Sequence, residues 1–388
     1  MKIVTGYASL GDAHQPATLG IIFKKMALAG LRVVELSIYV TYLPTYASVD
    51  LTFVTCTLVH PCAKQTTKKT QNNTKQVAVP AVGAIMADWG ADVVKIEGPS
   101  GDPVRRSVVS KEYARPISLV FEVNNRGKKS VVLDLGTAAG KAAMETLLQS
   151  ADVFVTNYRQ QVLQDLHLTP EEVHARHPHV VIGMISGYGD KGPEKYTPGF
   201  DVTAFWARSG LDSTRFPKGG EPPRDILGVG DNTTGLALLS GVLAALRHRD
   251  KTGKGQIVKT SLLRSALFAN NWATSVELTS SKSTVPRPRS EASNCLQNSY
   301  KAKDGRNFWL VQAADKKWPD LCKVSESVKT GFSFLKQEAT AQIVQHPEWE
   351  TDDRFNTVLQ RAKNAKPLIA MLDAEFAQQP LSYWYCRE

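Results

Sequence analysis

The chain has 388 residues, of which 42% are hydrophobic, and carries 47 Lys and Arg against 37 Asp and Glu, a formal charge of +10. That length allows two domains and a sizeable core. No apolar run is read as a membrane span, and no basic stripe with interleaved aromatics points to nucleic acid, so the composition excludes both partners and leaves a globular protein whose charge surplus fits an anionic small-molecule ligand as well as a solvated surface. About half of the positive excess lies in two segments outside the expected core. Residues 1–28 hold Lys2, Lys24 and Lys25 against Asp12, and residues 41–76 hold Lys64, Lys68, Lys69 and Lys75 against Asp50. The five cysteines are odd in number and lack metal-ligand spacing, which predicts reduced thiols, no metal and an intracellular home. The N-terminus has no long apolar segment for secretion, and its few acidic residues suit an organellar presequence, so the expected compartment is cytoplasmic or mitochondrial.

In chain order, residues 1–28 read as an extension without periodicity, and LRVVEL (31–36) as a short buried strand. Residues 41–76, rich in Thr, Lys, Gln and Asn, read as a disordered insertion, an anomaly inside a compact domain. PAVGAIMADW (80–89) is a helix with Pro80 in its first turn and Gly90 at its end, and ADVVKIE (91–97) a second strand, which together give a right-handed βαβ unit. The alternation continues with a strand at 131–135, a helix at 138–149, a strand at 152–157, two short helices over 161–177 and a strand at 179–187. A Gly, Pro and Lys-rich loop leads to a helix from Asp201, and QIVKTSL (256–262) and 263–278 add a strand and a helix. The pattern predicts an α/β fold, an open Rossmann-like parallel sheet with helices on both faces over 29–278, which binds ligands beyond the carboxyl ends of its strands. After a linker (279–297) comes a smaller, incomplete α+β domain over 298–388. It holds a hairpin turning at Asp304-Gly305 and helices near 315–324, 333–345 and 359–378.

The stretch Ile226–His248 organises the rest. Leu236, Leu239, Val242, Leu243 and Leu246 recur at helical spacing, and the glycine-punctuated turn before them delivers Asp231 to a helix start. Two readings stay open. Asp231 is either an N-cap, its carboxylate accepting N–H bonds from Thr233 or Thr234, or a nucleophile toward an activated acyl group. Gly228, Gly230 and Gly235 favour the second by clearing side chains for a close-approaching ligand, and the helix start offers N–H groups to an oxyanion.

The segments LAGLRVVELS (28–37), PAVGAIMADWGADVVKIEGPSGDPVR (80–105), NRGKKSVVLDL (125–135), ADVFVTNYR (151–159), ISGYGDKGP (185–193), PGFD (198–201), GVGDNTTG (228–235) and ALRHRDKTGKGQIV (245–258), in that order and spacing, resemble the family III CoA-transferases, the group that includes formyl-CoA transferase and α-methylacyl-CoA racemase. The resemblance covers about 30–310 apart from 41–76, and YGDKGPEKYTPGFDVTAFWARSGL (188–211) is similar to transferases of aryl- or 2-hydroxyacyl-CoA. It implies that Asp231 attacks an acyl-CoA, passes through a mixed anhydride to an aspartyl-CoA thioester, and hands CoA to a carboxylic acid. It implies coenzyme A contacts at Val40, Ala78, Lys95, Arg105, Leu133, Asn157 and Tyr158, and an interlocked homodimer. Racemases of the group carry a His just before the Asp of the PGFD-like segment; Phe200 stands there and moves no proton, so racemisation is the lesser alternative. His167, His174, His177, His179 and His248 are expected on the surface.

The chain departs from the family at three places. The insertion 41–76 falls in the first strand-to-helix loop, where the family binds CoA, and the family sequence resumes on either side as it would around an unspliced intron. Asp165 occupies a place that is commonly basic, and the sequence stops inside the second domain. These departures make a catalytically compromised member the other alternative.

Overall fold

The computed structural model describes residues 28–36, 77–106, 118–195, 197–223, 226, 228–282, 284, 286–311, 318–322, 344 and 346–384. Val40, the insertion 41–76 and most of the helix expected at 333–345 lie outside them. The chain divides into two compact units: one holds the described residues up to Thr214 and then Pro223–Thr284, the other Arg215–Pro222 and the residues beyond Thr284.

In the larger unit the apolar runs become strands β1 (Arg32–Leu36), β2 (Asp92–Glu97), β3 (Lys129–Val132), β4 (Val153–Thr156), β5 (Val181–Ser186) and β6 (Ile257–Ser261). They pair in parallel in the order β3-β2-β1-β4-β5-β6, the doubly wound order. Val34 stands level with Val94 on one side and Phe154 on the other. Inner strands are buried on both faces, which is why they read as continuous rather than alternating apolar runs.

Side chains alternate across the sheet. Val33, Val93, Val153, Val155 and Val181 pack with helix α1 (Ala78–Asp88) and a long helix, Val229–Thr252, through Val79, Val82, Met86, Leu238, Leu239 and Val242. Val34, Val94, Ile96, Phe154 and Ile182 meet Met144, Leu148, Leu163 and Val173 on the other face. Those four come from helices α3 (Ala138–Gln149), α4 (Gln160–Leu166) and α5 (Pro170–Arg176). A further helix, α2 (Leu119–Asn125), precedes β3. It carries no periodicity long enough to be read from the sequence.

Several expectations shift. Helix α1 starts at Ala78, so Pro80 is its third residue; a proline fits there because the first four N–H groups have no partner within the helix. Strand β3 starts two residues early and is exposed throughout, being the sheet edge. The segment from Asp201 to Ala207 winds as a π-helix. The helix expected at 263–278 breaks at Asn270 into Leu262–Ala269 and Asn271–Ser280. The long helix Val229–Thr252, here α6, is long and apolar enough to cross a membrane by length and composition, against the reading of the sequence, yet half of its apolar window is buried within the protein. His177 is buried on Glu145, its Nε2 2.7 Å from Oε1, and not on the surface as expected.

In the smaller unit, strands β7 (Gln297–Lys301) and β8 (Asn307–Val311) form the expected hairpin. Its Tyr300 and Phe308 meet Phe376 of the helix Ala365–Phe376, each ring centre 4.9 Å from that of Phe376. The helix expected over 359–378 is split in two at Asn364.

Candidate active site

Beyond the carboxyl ends of β4, β5 and β6 opens a cavity of about 640 Å³. A doubly wound sheet leaves its ligand crevice on this side of the strands, where the loops diverge. Asn157 and Tyr158 reach the cavity from the end of β4, Ser186 and Gly187 from β5, and Lys259 and Thr260 from β6. Ala78 enters from the start of α1, and Asp201 and Asp231 stand together on its wall.

Asp231 is the third residue of α6 and is 6% exposed. The N-cap reading fails, because the cap is Gly228, in the left-handed region at φ 83° where glycine is unstrained. The Asp231 carboxylate instead accepts the backbone N–H of Val77, at the entrance to α1. Asp201, the first residue of the π-helix and also buried, accepts the Gly228 N–H on Oδ2 at 2.7 Å. The two carboxyl groups therefore share one low-dielectric wall. Burial is the largest cause that pushes the Asp231 carboxyl up to about 7, the charge of Asp201 adds to it, and the Val77 N–H opposes both.

The glycines around Asp231 act differently from the expectation. A side chain at Gly230 would overlap Asp201 and the Phe205 ring, and one at Gly235 would lie 2.7 Å from the Ala78 carbonyl oxygen. They make room for protein rather than ligand: Gly230 admits Asp201 beside Asp231, and Gly235 lets α1 dock against α6.

Of the expected coenzyme contacts, Ala78, Asn157 and Tyr158 line the cavity with Asp231. Tyr158 is nearly buried, and burial with the neighbouring Asp102 charge raises its phenol to about 12, so it faces the cavity as a neutral hydrogen-bonding group. Lys95, Arg105 and Leu133 are not part of the cavity wall. Lys95 is 1% exposed and its ammonium is enclosed between Glu35 at 3.2 Å and Asp102 at 2.9 Å, so the expectation that it meets a nucleotide gives way to an interior ion pair. Arg105 forks onto Glu97, at 2.9 Å from Nε and 2.6 Å from Nη2, while its guanidinium lies over the Phe121 ring. Leu133 packs against the core on the face of the sheet covered by α3, α4 and α5.

Two residues were missed in the sequence. Asp201 was visible as a helix start and as the Asp of the PGFD segment, without a role of its own; its place beside Asp231 depends on α6 and the π-helix meeting in space. Arg159 follows Asn157-Tyr158 and lines the cavity, half-buried, with no acidic partner among the described residues; burial alone depresses its guanidinium. A cation so placed is matched to an anionic ligand group. No cluster of His, Cys, Asp and Glu suited to a metal ion occurs among the described residues.

The sequence profile described as CoA-transferase family III matches residues 72–331. (R)-2-hydroxy-4-methylpentanoate CoA-transferase of Clostridioides difficile is 32% identical over 313 residues, which span 79% of this chain and 73% of that protein. Cinnamoyl-CoA:phenyllactate CoA-transferase of Clostridium sporogenes is 38% identical over 233 residues, 59% of this chain and 56% of that one. A crystal structure of a CAIB/BAIF family protein from Brucella suis superposes with a TM-score of 0.67 at 24% identity, over 92% of this chain and 80% of the other, a likeness of fold.

Proposed function

As the chain belongs to CoA-transferase family III, we propose that it moves CoA from an acyl-CoA to a free carboxylic acid with Asp231 as the nucleophile. The observation that carries this reading is a buried carboxylate on the wall of a 640 Å³ cavity, flanked by a second carboxyl group and by one backbone donor. An Asp231 oxygen attacks the thioester carbonyl carbon, the C–S bond breaks, and the CoA thiolate leaves a mixed anhydride. The thiolate then attacks the Asp231 carboxyl carbon and releases the donor acid as its carboxylate. An acceptor carboxylate attacks the resulting aspartyl thioester at the same carbon and expels the thiolate, which attacks the acceptor's acyl carbon and restores Asp231. No proton is gained or lost over the cycle, so the site's work is electrostatic and protective: it must excite a weak nucleophile and keep water from the anhydride.

Burial supplies the first part. An anion stripped of water beside Asp201 is held in a high-energy state, and its charge disperses as it bonds to carbon. Arg159 is suited to a phosphate of CoA or to the acid's carboxylate. The substrate proposed is an aryl or branched 2-hydroxy acid, from the two relatives named above and from the likeness of 188–211. A homodimer is part of the same reading, supported by Phe268, Trp272 and Leu278, which stand 78%, 82% and 80% exposed on the helices after β6. Racemisation is not favoured, since Phe200 offers no acid or base.

The test is to incubate the protein with cinnamoyl-CoA and hydroxylamine and map the adduct by mass spectrometry. A hydroxamate on Asp231, with exchange lost in Asp231→Asn, is the expected result. Transfer that survives Asp231→Ala would refute the assignment.

A further inference from the structure

Away from the cavity wall, Glu35, Lys95, Lys128 and Asp102 form a cluster of charged side chains enclosed in the larger unit. Glu35, in β1, is fully buried and accepts Lys95 Nζ at 3.2 Å and Lys128 Nζ at 2.6 Å, while Lys95 also meets Asp102 at 2.9 Å. Among the described residues two ammonium groups face two carboxylates, so these four charges balance when fully ionised, the condition under which buried charge is tolerated. Lys128, just before β3 and 2% exposed at its side chain, does more than neutralise Glu35. Its Nζ also donates to the Pro80 carbonyl at 2.8 Å and to Asn125 Oδ1 at 3.0 Å. Three bonds use all three of its N–H donors.

Pro80 belongs to the first turn of α1, three residues beyond Val77. One turn on, Gly83 seats α1 directly on Glu35 and Lys128, where any side chain would overlap the Glu35 carboxylate. On its far side the same first turn meets α6, through the Ala78 carbonyl at Gly235 and the Val77 N–H at Asp231. The start of α1 is thus held between a buried lysine and the candidate nucleophile.

We infer that Lys128 is a positioning residue for Asp231: by tethering the Pro80 carbonyl it holds the first turn of α1 where the Val77 N–H meets the Asp231 carboxylate. The inference rests on reading Asp231 as the nucleophile. Lys128 touches no substrate in this scheme. It acts through one N–H, which favours the charged carboxylate against burial and against Asp201, the other group facing it. The groups facing Lys128 itself are Glu35, Lys95, Asp102 and Asn125. Loss of the tether raises the pH at which Asp231 ionises, and the substitution itself replaces no residue that lines the cavity.

Three variants test it. Lys128→Met removes the tether but also takes one ammonium group from buried Glu35. Glu35→Gln/Lys128→Met removes the tether and one charge of each sign, an exchange that buried ion pairs tolerate. Glu35→Gln keeps the tether. The first readout is the ¹³C titration of the Asp231 carboxyl group, assigned by its loss in Asp231→Asn and needing no substrate. The second is kcat and KM for transfer from cinnamoyl-CoA across pH. Both Lys128 variants are expected to raise the midpoint by about 0.5 to 1 unit and, below it, to lower kcat roughly 3- to 10-fold at near-constant KM, while Glu35→Gln leaves the midpoint in place. A cooperatively folded double variant with an unmoved midpoint overturns the inference, as does an equal shift in Glu35→Gln, which would assign the effect to cluster charge. A midpoint that moves while kcat does not supports the positioning role and refutes the nucleophile reading beneath it.

Discussion

Replacing Asp231 by Asn isolates the cost of keeping an ionisable group on the cavity wall. In the folded chain its carboxyl ionises at about 7, whereas in an unfolded chain an aspartate ionises near 3.9. The folded state therefore holds a proton that the unfolded state releases between about pH 4 and pH 7, and stability falls as pH rises through that window. A difference of about 3 units at 1.36 kcal/mol each amounts to about 4 kcal/mol of destabilisation above pH 7. Asparagine has the shape of the protonated acid and keeps an acceptor for the Val77 N–H, but it never charges. Urea unfolding of both proteins at pH 4, 6 and 8 is expected to give matching stabilities at pH 4 and a variant more stable by about 3 to 4 kcal/mol at pH 8, with transfer activity lost. A gap that does not change with pH would refute the reasoning, and so would a variant less stable at pH 8, since either means the carboxylate is comfortable as an anion.

The neighbouring groups lead to three more expectations. Asp201→Asn removes the like charge beside Asp231 and is expected to lower its ionisation midpoint by about 1 unit, moving the acid limb of the kcat/KM profile down; a fixed limb would show that the two carboxyl groups do not interact. Gly230→Ala drives a methyl into Asp201 and Phe205 and is expected to cost about 1 to 3 kcal/mol, read as a fall in the urea midpoint, with a larger loss of kcat than of KM. Arg105→Ala leaves Glu97 without its fork. The Arg105 hydrogen bonds lead those of Ser130 and the Asp102 N–H in outweighing burial and holding Glu97 down at about 2. That contribution is full above about pH 4.5 and is lost as pH falls toward 2; with Arg105 partly exposed the penalty is about 1 to 2 kcal/mol, and chemical denaturation at pH 7 and pH 3 checks that it shrinks with acid.

Much of this was legible from one dimension. The runs RVVEL, DVVKIE and VFVT carry their own burial because an inner parallel strand has no polar face, and alternation with helices leaves few topologies beyond a doubly wound sheet. The break at Asn270 was not legible, since an apolar pattern continues on both sides of it. Nor was the burial of His177, which depends on Glu145 arriving from α3. Lys95 shows the limit most clearly. A lysine in a strand heading toward a ligand crevice has the same sequence whether it binds phosphate or an interior carboxylate, and only the approach of Glu35 and Asp102 decides.

By itself the sequence determined the succession of the parallel strands and of the longer helices between them, the glycine turn ahead of α6, and the presence of Asp231 at that helix start, because these follow from periodicity and from backbone conformations that few residues adopt. Tertiary structure decided the chemical character of that aspartate. Its burial, the Asp201 carboxyl beside it and the Val77 N–H come from segments roughly 30 and 150 residues away in the chain. Electrostatic energy depends on distance and dielectric in space, and neither is written in the spacing of residues along a chain.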